Sequence, residues 1–291
     1  MLSKAAPWLA SRNGTGLGVR VLGSADTPAL RALAQEDPVA NVFILAQLDS
    51  TGTAAPTSAG ASIFGVFDDG NLLGACWAGA NLVPIQLDPA LARHVATAAH
   101  QTGRRYASIF GSAESVLALY SVFEQLGHPA HEVRSCQPLL AISGSPAIGA
   151  NPALSVATMD DFDRLLPACA AMFEEEVGYS PFLGGQEFYS RRVAGLIRQG
   201  HSLVHIEDGT VVFKAELGAV TRNATQVQGV WMNPGLRGHG RSAGYMAAVV
   251  NLSRTFAPVT SLYVNDYNAK ARAAYERVGF EQVGTFATVL F

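Results

Sequence analysis

The stretch Val230-Trp231-Met232-Asn233-Pro234-Gly235-Leu236-Arg237-Gly238-His239-Gly240-Arg241-Ser242 decides how the rest of the chain is read. Apolar residues lead into Asn233-Pro234-Gly235, two more glycines follow, and a small-residue and apolar run begins at Ala243. The expected order is a strand, a glycine-flanked turn and a helix. N–H groups at a helix start have no partner inside the helix, and the helix dipole adds partial positive charge there. An anion such as a pyrophosphate can therefore be held largely by backbone. Gly238 and Gly240 carry no Cβ and allow a close approach, and Ser242 is small and brings a hydroxyl. A glycine turn before a helix is commonly no more than a turn, so the flanking residues have to decide.

Arg237 stands three positions after Pro234, and a second cluster, Asn268, Ala271, Tyr275, Gly279 and Phe280, follows the strand-like residues 261–265. Strand, Pro-x-x-Arg-Gly-x-Gly, helix, strand, Asn-x-x-Ala-x-x-x-Tyr-x-x-x-Gly-Phe resembles the GNAT family of acyl-CoA-dependent N-acetyltransferases, over about residues 155–291. In one respect the chain departs from the family pattern, which prefers Gly or Ala at the last loop position, where Ser242 stands here. The runs Gly79-Ala80-Asn81-Leu82-Val83-Pro84 and Met172-Phe173-Glu174-Glu175-Glu176-Val177-Gly178 extend the likeness. They resemble actinobacterial GNAT proteins of tandem type that carry a degenerate N-terminal GNAT-like domain of unknown function.

A chain of 291 residues fits two ordinary domains better than one, with length to bury two cores. Hydrophobic residues at 49% against 15% charged predict a folded protein. A net charge of −3 without a basic run argues against a large phosphate-neutralising nucleic-acid surface, while an acidic cleft for an amine stays open. Cys76, Cys136 and Cys169 are far apart and odd in number. They form neither a disulfide framework nor a metal pattern and suit a reducing cytoplasm. Residues 1–14 hold a short apolar patch between Lys4 and Arg12, too interrupted for a signal or anchor, and no later run reaches the length of a membrane span.

The predicted elements come in the same order twice. Residues 16–22 read as a strand, 27–34 and 41–48 as helices, 62–67 and 72–77 as a hairpin across Asp68-Asp69-Gly70-Asn71, and 81–87 as a strand. Helices at 90–101 and 115–126 flank a strand at 106–110, and 129–142 is extended. After a Gly/Ser/Pro/Ala-rich linker at 143–152 come a strand at 153–158, helices at 160–173 and 186–199, and a hairpin across Glu207-Asp208-Gly209. The strand 226–232, the loop and its helix, the strand 261–265, the helix 269–278 and the strand 280–291 complete the chain. Asp68-Asp69-Gly70 answers Glu207-Asp208-Gly209, Asp88-Pro89 answers Asn233-Pro234, and Phe123-Glu124-Gln125-Leu126-Gly127 answers Tyr275-Glu276-Arg277-Val278-Gly279. The reading is an α/β fold with mixed sheet in two tandem GNAT-like domains, residues 1–142 and 153–291. The first half has no Arg-Gly-x-Gly and has Phe123 in place of Tyr275, so only the second is expected to carry the acyl-CoA site.

The resemblance implies that acetyl-CoA, as cosubstrate and without a metal, lies between the splayed strands 226–232 and 261–265. The pantetheine amides would pair with backbone of Val230, Trp231 and Met232. The pyrophosphate would meet N–H groups of Arg237, Gly238, His239, Gly240, Arg241, Ser242 and Ala243, with Asn268 and Ala271 beside the pantetheine arm. Tyr275 is the expected proton donor to the leaving sulfur, as a phenol within hydrogen-bonding reach can be. An ammonium acceptor must lose a proton, and Glu216 and Glu175 are ranked first as bases among Glu216, Glu174, Glu175 and Glu176. Each has a structural alternative: Asn268 a helix cap, Glu216 a partner for Lys214, Tyr275 a packed aromatic. The function implied is a cytoplasmic acetyl-CoA-dependent N-acetyltransferase for a small-molecule or protein amine. No nucleic-acid or membrane partner is expected, and a homodimer is left open. The alternatives are a non-catalytic acyl-CoA sensor or scaffold, and a tandem transferase acting on a cofactor precursor or with another acyl donor.

Overall fold

The computed structural model describes residues 16–183 and 185–291; the segment 1–14, read above as neither signal nor anchor, lies outside them. In chain order the first half gives β1 (Gly18–Val21), α1 (Thr27–Gln35), α2 (Val42–Thr51), β2 (Ser62–Asp68), β3 (Asn71–Ala78) and β4 (Asn81–Ile85). It continues with α3 (Ala92–Gln101), β5 (Ser108–Ser112), α4 (Ala113–Gln125) and β6 (Glu132–Ile142). The second half gives β7 (Ser155–Val156), α5 (Phe162–Val177), α6 (Gln186–Arg198), β8 (Ser202–Glu207), β9 (Thr210–Val220) and β10 (Ala224–Met232). Then follow α7 (Ser242–Ser253), β11 (Val259–Tyr263), α8 (Ala269–Val278) and β12 (Glu281–Leu290). No helix among the described residues is long and apolar enough to cross a membrane.

Two compact units divide these elements, one running to Gln137 and taking in Thr285–Phe291, the other spanning Pro138–Gly284. In the first unit β1 to β4 form an antiparallel meander, β4 pairs β5 in parallel, and residues 286–290 of β12 pair antiparallel with β5. Alternation along β2 sends Phe64 and Val66 to a core with Val95, Leu119 and Phe123 from α3 and α4. Ile63 goes to the opposite core with Leu30, Ile44 and Leu48 from α1 and α2.

The second unit repeats this plan. Its strands run β6, β11, β10, β9, β8, β7, with β10 and β11 parallel and residues 139–142 of β6 antiparallel to β11. Phe213, Ala215 and Leu217 of β9 face a core with Met246 and Val249 of α7 and Val278 of α8. Leu165, Cys169 and Val193 of α5 and α6 build the other core.

The unit boundaries depart from a division at 143–152. A strand joins the sheet that satisfies its N–H and C=O groups, and β12 divides between its two ends: residues 286–290 find theirs on β5. The stretch expected to be a linker is docked within the second unit. The Ala147 N–H donates to Val278 O at 2.8 Å, the Asn151 N–H to Gly244 O at 2.9 Å, and Arg254 to Ser145 Oγ at 3.2 Å.

The paired turns are alike in detail. Asp69 and Gly70 have φ of +45° and +82°, Asp208 and Gly209 +49° and +76°, the left-handed pair that matches strand twist in a two-residue hairpin. The Asp88 side chain accepts from the Ala90 N–H at 2.7 Å, and that of Asn233 from the Gly235 N–H at 3.0 Å, each opening one turn of 3-10 helix.

Candidate functional site

The candidate site is built in the second unit, where β10 leaves β11. The parallel ladder joins Ala224, Thr225 and Gln226 to Val259, Thr260 and Ser261, and beyond Gln226 β10 has no ladder partner in β11. On its other side β10 stays with β9 but carries a bulge: Gln228 faces Glu216 and Trp231 faces Lys214, so one residue of β9 opposes two of β10. Gly229 occupies the bulge with φ of +57°. The conformation favours glycine, and a Cβ there would press on Met172 Cε at 3.0 Å and Lys214 Nζ at 3.1 Å. The open edge of residues 227–232 presents peptide groups to the gap, which suits a ligand bearing amides of its own.

At the end of β10 the chain makes its 3-10 turn (Pro234–Leu236), crosses residues 237–241 and enters α7 at Ser242. Gly238 and Gly240 have φ of +86° and +68°, and nothing lies within 4 Å of a Cβ placed on Gly238. The N–H groups of α7's first turn have no acceptor inside the helix; the bond from Tyr245 N–H to Arg241 O, 3.4 Å, comes after them. Tyr245 anchors this end: it is buried, stacks on Phe213 with ring centroids 4.6 Å apart, and its hydroxyl meets His205 Nδ1 at 2.7 Å and Arg241 at 3.4 Å. Arg277 of α8 brings its guanidinium to 4.0 Å from a Cβ position on Gly240. The sequence reading did not select Arg277; its place two residues after Tyr275 was the available signal.

Arg237 differs from the other loop residues. Its N–H closes the 3-10 turn on Pro234 O at 3.3 Å, its Nε donates to Met232 O at 2.9 Å, and its guanidinium holds Glu175 at 2.8 and 3.0 Å. That makes it a brace for the end of β10, and the unclaimed backbone donors begin at Gly238. His239 is exposed.

Tyr275 is 7% exposed and packs beside Phe280 at 5.9 Å. Burial, with the negative charge of Glu176 adding to it, pushes its hydroxyl from the ordinary 10.0 up to about 12. It therefore stays a phenol, able to donate, at every working pH. Asn268 Oδ1 accepts from the Ala271 N–H at 3.2 Å and caps α8, and Ala271 is half-buried against the same core as Tyr275.

The two acids ranked first as bases are both engaged elsewhere. Glu175 ties Arg237 to the Trp231 indole, which donates to it at 3.1 Å. Glu216 is 1% exposed and its Oε1 lies 2.5 Å from the wholly buried Lys214 Nζ, with Gln228 donating to Oε2 at 3.2 Å. Burial alone would push this carboxyl up, but Lys214, Arg192 and the hydrogen bonds from Lys214 and Gln228 hold it below the usual value. Lys214 and Glu216 are two apart on one strand and so share a face. The acid whose charge reaches Tyr275 is Glu176, one helical step from Glu175. Among the described residues no group of three or more His, Cys, Asp or Glu side chains could hold a metal.

Residues 61–165 match a family described as a domain of unknown function, DUF4081. No curated protein matches the chain. Solved structures do, along most of its length. One is a GCN5-related N-acetyltransferase from Sphaerobacter thermophilus, with TM-score 0.60, 16% identity and 94% of each chain covered. Another is a GNAT-family acetyltransferase from Colwellia psychrerythraea, with TM-score 0.58, 11% identity and 94% of this chain and 99% of that one covered. A third is a tandem GNAT protein from the clavulanic acid biosynthesis pathway, with TM-score 0.54, 15% identity and coverages of 94% and 98%. The fold is that of GNAT acetyltransferases, tandem members among them, and the likeness at these identities is one of fold.

Proposed function

We propose that the chain is an acetyl-CoA-dependent N-acetyltransferase whose donor site is the second unit. The observation that carries this reading is the join of β10 to α7. A bulged strand with an open edge runs into five loop residues, 237–241, with two left-handed glycines, ahead of a helix start. Nothing in the loop closes on Gly238, and residues 238–243 supply backbone donors with Arg241 and Arg277 beside them, which suits a pyrophosphate. The open edge of Val230 and Met232 suits the amides of a pantetheine arm.

The donor supplies an activated thioester. The residues of this chain then have three tasks: to orient that thioester, to take a proton from the acceptor ammonium so that the free amine can attack the carbonyl carbon, and to give a proton to the thiolate released as the C–S bond breaks. Tyr275, kept protonated by burial and by Glu176, is suited to the last task. Glu176 is the acid we assign to the ammonium, because its charge is the one that reaches Tyr275.

Calorimetric titration of the protein with acetyl-CoA tests the reading. One site per chain and amine-accelerated release of CoA are expected; no heat and no thermal stabilisation at millimolar acetyl-CoA would refute it.

A further inference from the structure

The buried cluster beneath the bulge has an uneven charge. Lys214 and Glu216, with relative side-chain exposures of 0% and 1%, neutralise each other, and Cys169 Sγ lies 3.4 Å from Lys214 Nζ and 3.6 Å from Glu216 Oε1. Gln228, the last residue before Gly229, donates to the other oxygen of Glu216. Arg192 of α6 then adds a second cation, 3.5 Å from Glu216 Oε2, and unlike the buried pair its side chain is 41% exposed. Two cations thus share one carboxylate that is already bonded to Lys214 and Gln228. The surplus positive charge sits on the solvent side, on a guanidinium whose planar fork of five donors suits two-point recognition of an oxyanion. Tyr189, one turn earlier on α6, has its hydroxyl pushed up first by burial and then by Cys169 and Glu216, and Arg192 opposes that shift. A molecule reaching the bulge past α6 therefore meets a cationic group, Arg192, at the solvent edge of the cluster.

Taking the acetyltransferase reading as its premise, we infer that the acceptor amine carries an anionic group, a carboxylate or phosphate ester, which Arg192 binds while the amine points toward the bulge. A buried salt bridge of neutral sum beneath the bulge makes sense in the same terms. It fixes the position of Glu216, and Glu216 fixes Arg192, without adding net charge of its own. Arg192 is accordingly a specificity residue, and the Lys214–Glu216 pair is its positioning device.

The test compares matched acceptors, each amino acid of a panel against its carboxamide and ethanolamine phosphate against ethanolamine, by the rate of CoA release from acetyl-CoA. For at least one pair the wild-type protein should favour the anionic member at least tenfold in kcat/KM, mainly through KM. Arg192→Gln should bring that ratio close to one, and Arg192→Lys should restore part of it. Preference for carboxylates or for phosphates identifies which anion is bound, and either supports the inference. Release with every ratio at or below one, or a preference that survives Arg192→Gln, overturns it while leaving the acetyltransferase reading intact. No release with any amine overturns both.

Discussion

Compared strand for strand, the two units share one plan and part company around the bulge, the loop and Tyr275 of the second. Counted outward from their alike turns, Ala75 of β3 stands where Lys214 stands in β9, and Trp77 stands for Glu216. In the next strand a single residue, Pro84, separates Val83 from Ile85 opposite Trp77 and Ala75, whereas Gly229 and Val230 both lie between Gln228 and Trp231. After its 3-10 turn the first unit enters α3 directly at Ala92, while the second inserts residues 237–241 before α7. The last helices end on equivalent caps, His128 N–H to Phe123 O at 3.0 Å and Phe280 N–H to Tyr275 O at 3.1 Å, yet one presents a phenyl ring and the other a phenol. The frame, then, needs only hairpins, caps and apolar faces. An inserted residue, a five-residue loop, a buried ion pair and one hydroxyl distinguish the second unit, to which we assign the thioester site, from the first.

That comparison can be broken at each difference. The largest effect is expected at the ion pair. Lys214→Met leaves Glu216 buried without its partner and should cost about 3–5 kcal/mol of unfolding free energy. The double variant Lys214→Met/Glu216→Leu, apolar as the first unit is, should recover most of it. Chemical denaturation measures both, and a double variant as unstable as the single one would show that the pair is not balanced as described.

Next comes removal of residues 237–241, joining Leu236 to Ser242 as Leu91 joins Ala92. Acetyl-CoA binding should weaken at least about 1,000-fold, some 4 kcal/mol, with circular dichroism and melting cooperativity kept. Binding within tenfold of wild type would remove the loop from the donor site.

The smallest is Tyr275→Phe, which gives the second unit the first unit's ring. Turnover should fall about 100-fold, near 2.7 kcal/mol in the barrier, with acetyl-CoA affinity held within a few-fold. Equal turnover would take Tyr275 out of the proton transfer. The same variant has a pH signature. Because the folded-state value of about 12 exceeds the ordinary 10.0, the native state holds this proton more tightly than the unfolded chain. Its contribution to stability is complete below pH 10 and is lost as pH rises through 12. The stability difference between wild type and Tyr275→Phe should be flat below pH 10 and change between 10 and 12.

Much of this frame was legible in the sequence, because caps and turns are local. Asp-Gly pairs marked both hairpins, and Asn268 and Gly279 bounded α8 at the residues expected. Three features depended on distant partners and were not legible. The allegiance of residues 286–290 is set by hydrogen bonds to β5, which no nearby residue announces. Small residues at 143–152 read as a linker by composition, but their backbone groups are bonded to α7 and α8. Which of three consecutive, exposed glutamates lies toward β10 depends on the phase of α5 against that strand, and adjacent helical positions differ by about 100°. Glu175 was chosen as a base; Arg237, 62 residues on, claims it. The choice of Glu216 noted Lys214 as a structural partner, and the structure shows that partner buried with it.

The borrowing of Thr285–Phe291 by the first unit bears on how the chain is made. A ribosome delivers residues 138–284 before these seven, and at 5–20 residues per second that interval is on the order of ten seconds. Until then β5 has a bare edge, the kind of surface that pairs with whatever strand comes first. The first unit, though its other strands are made first, therefore stays open at β5 until the last strand of the chain arrives.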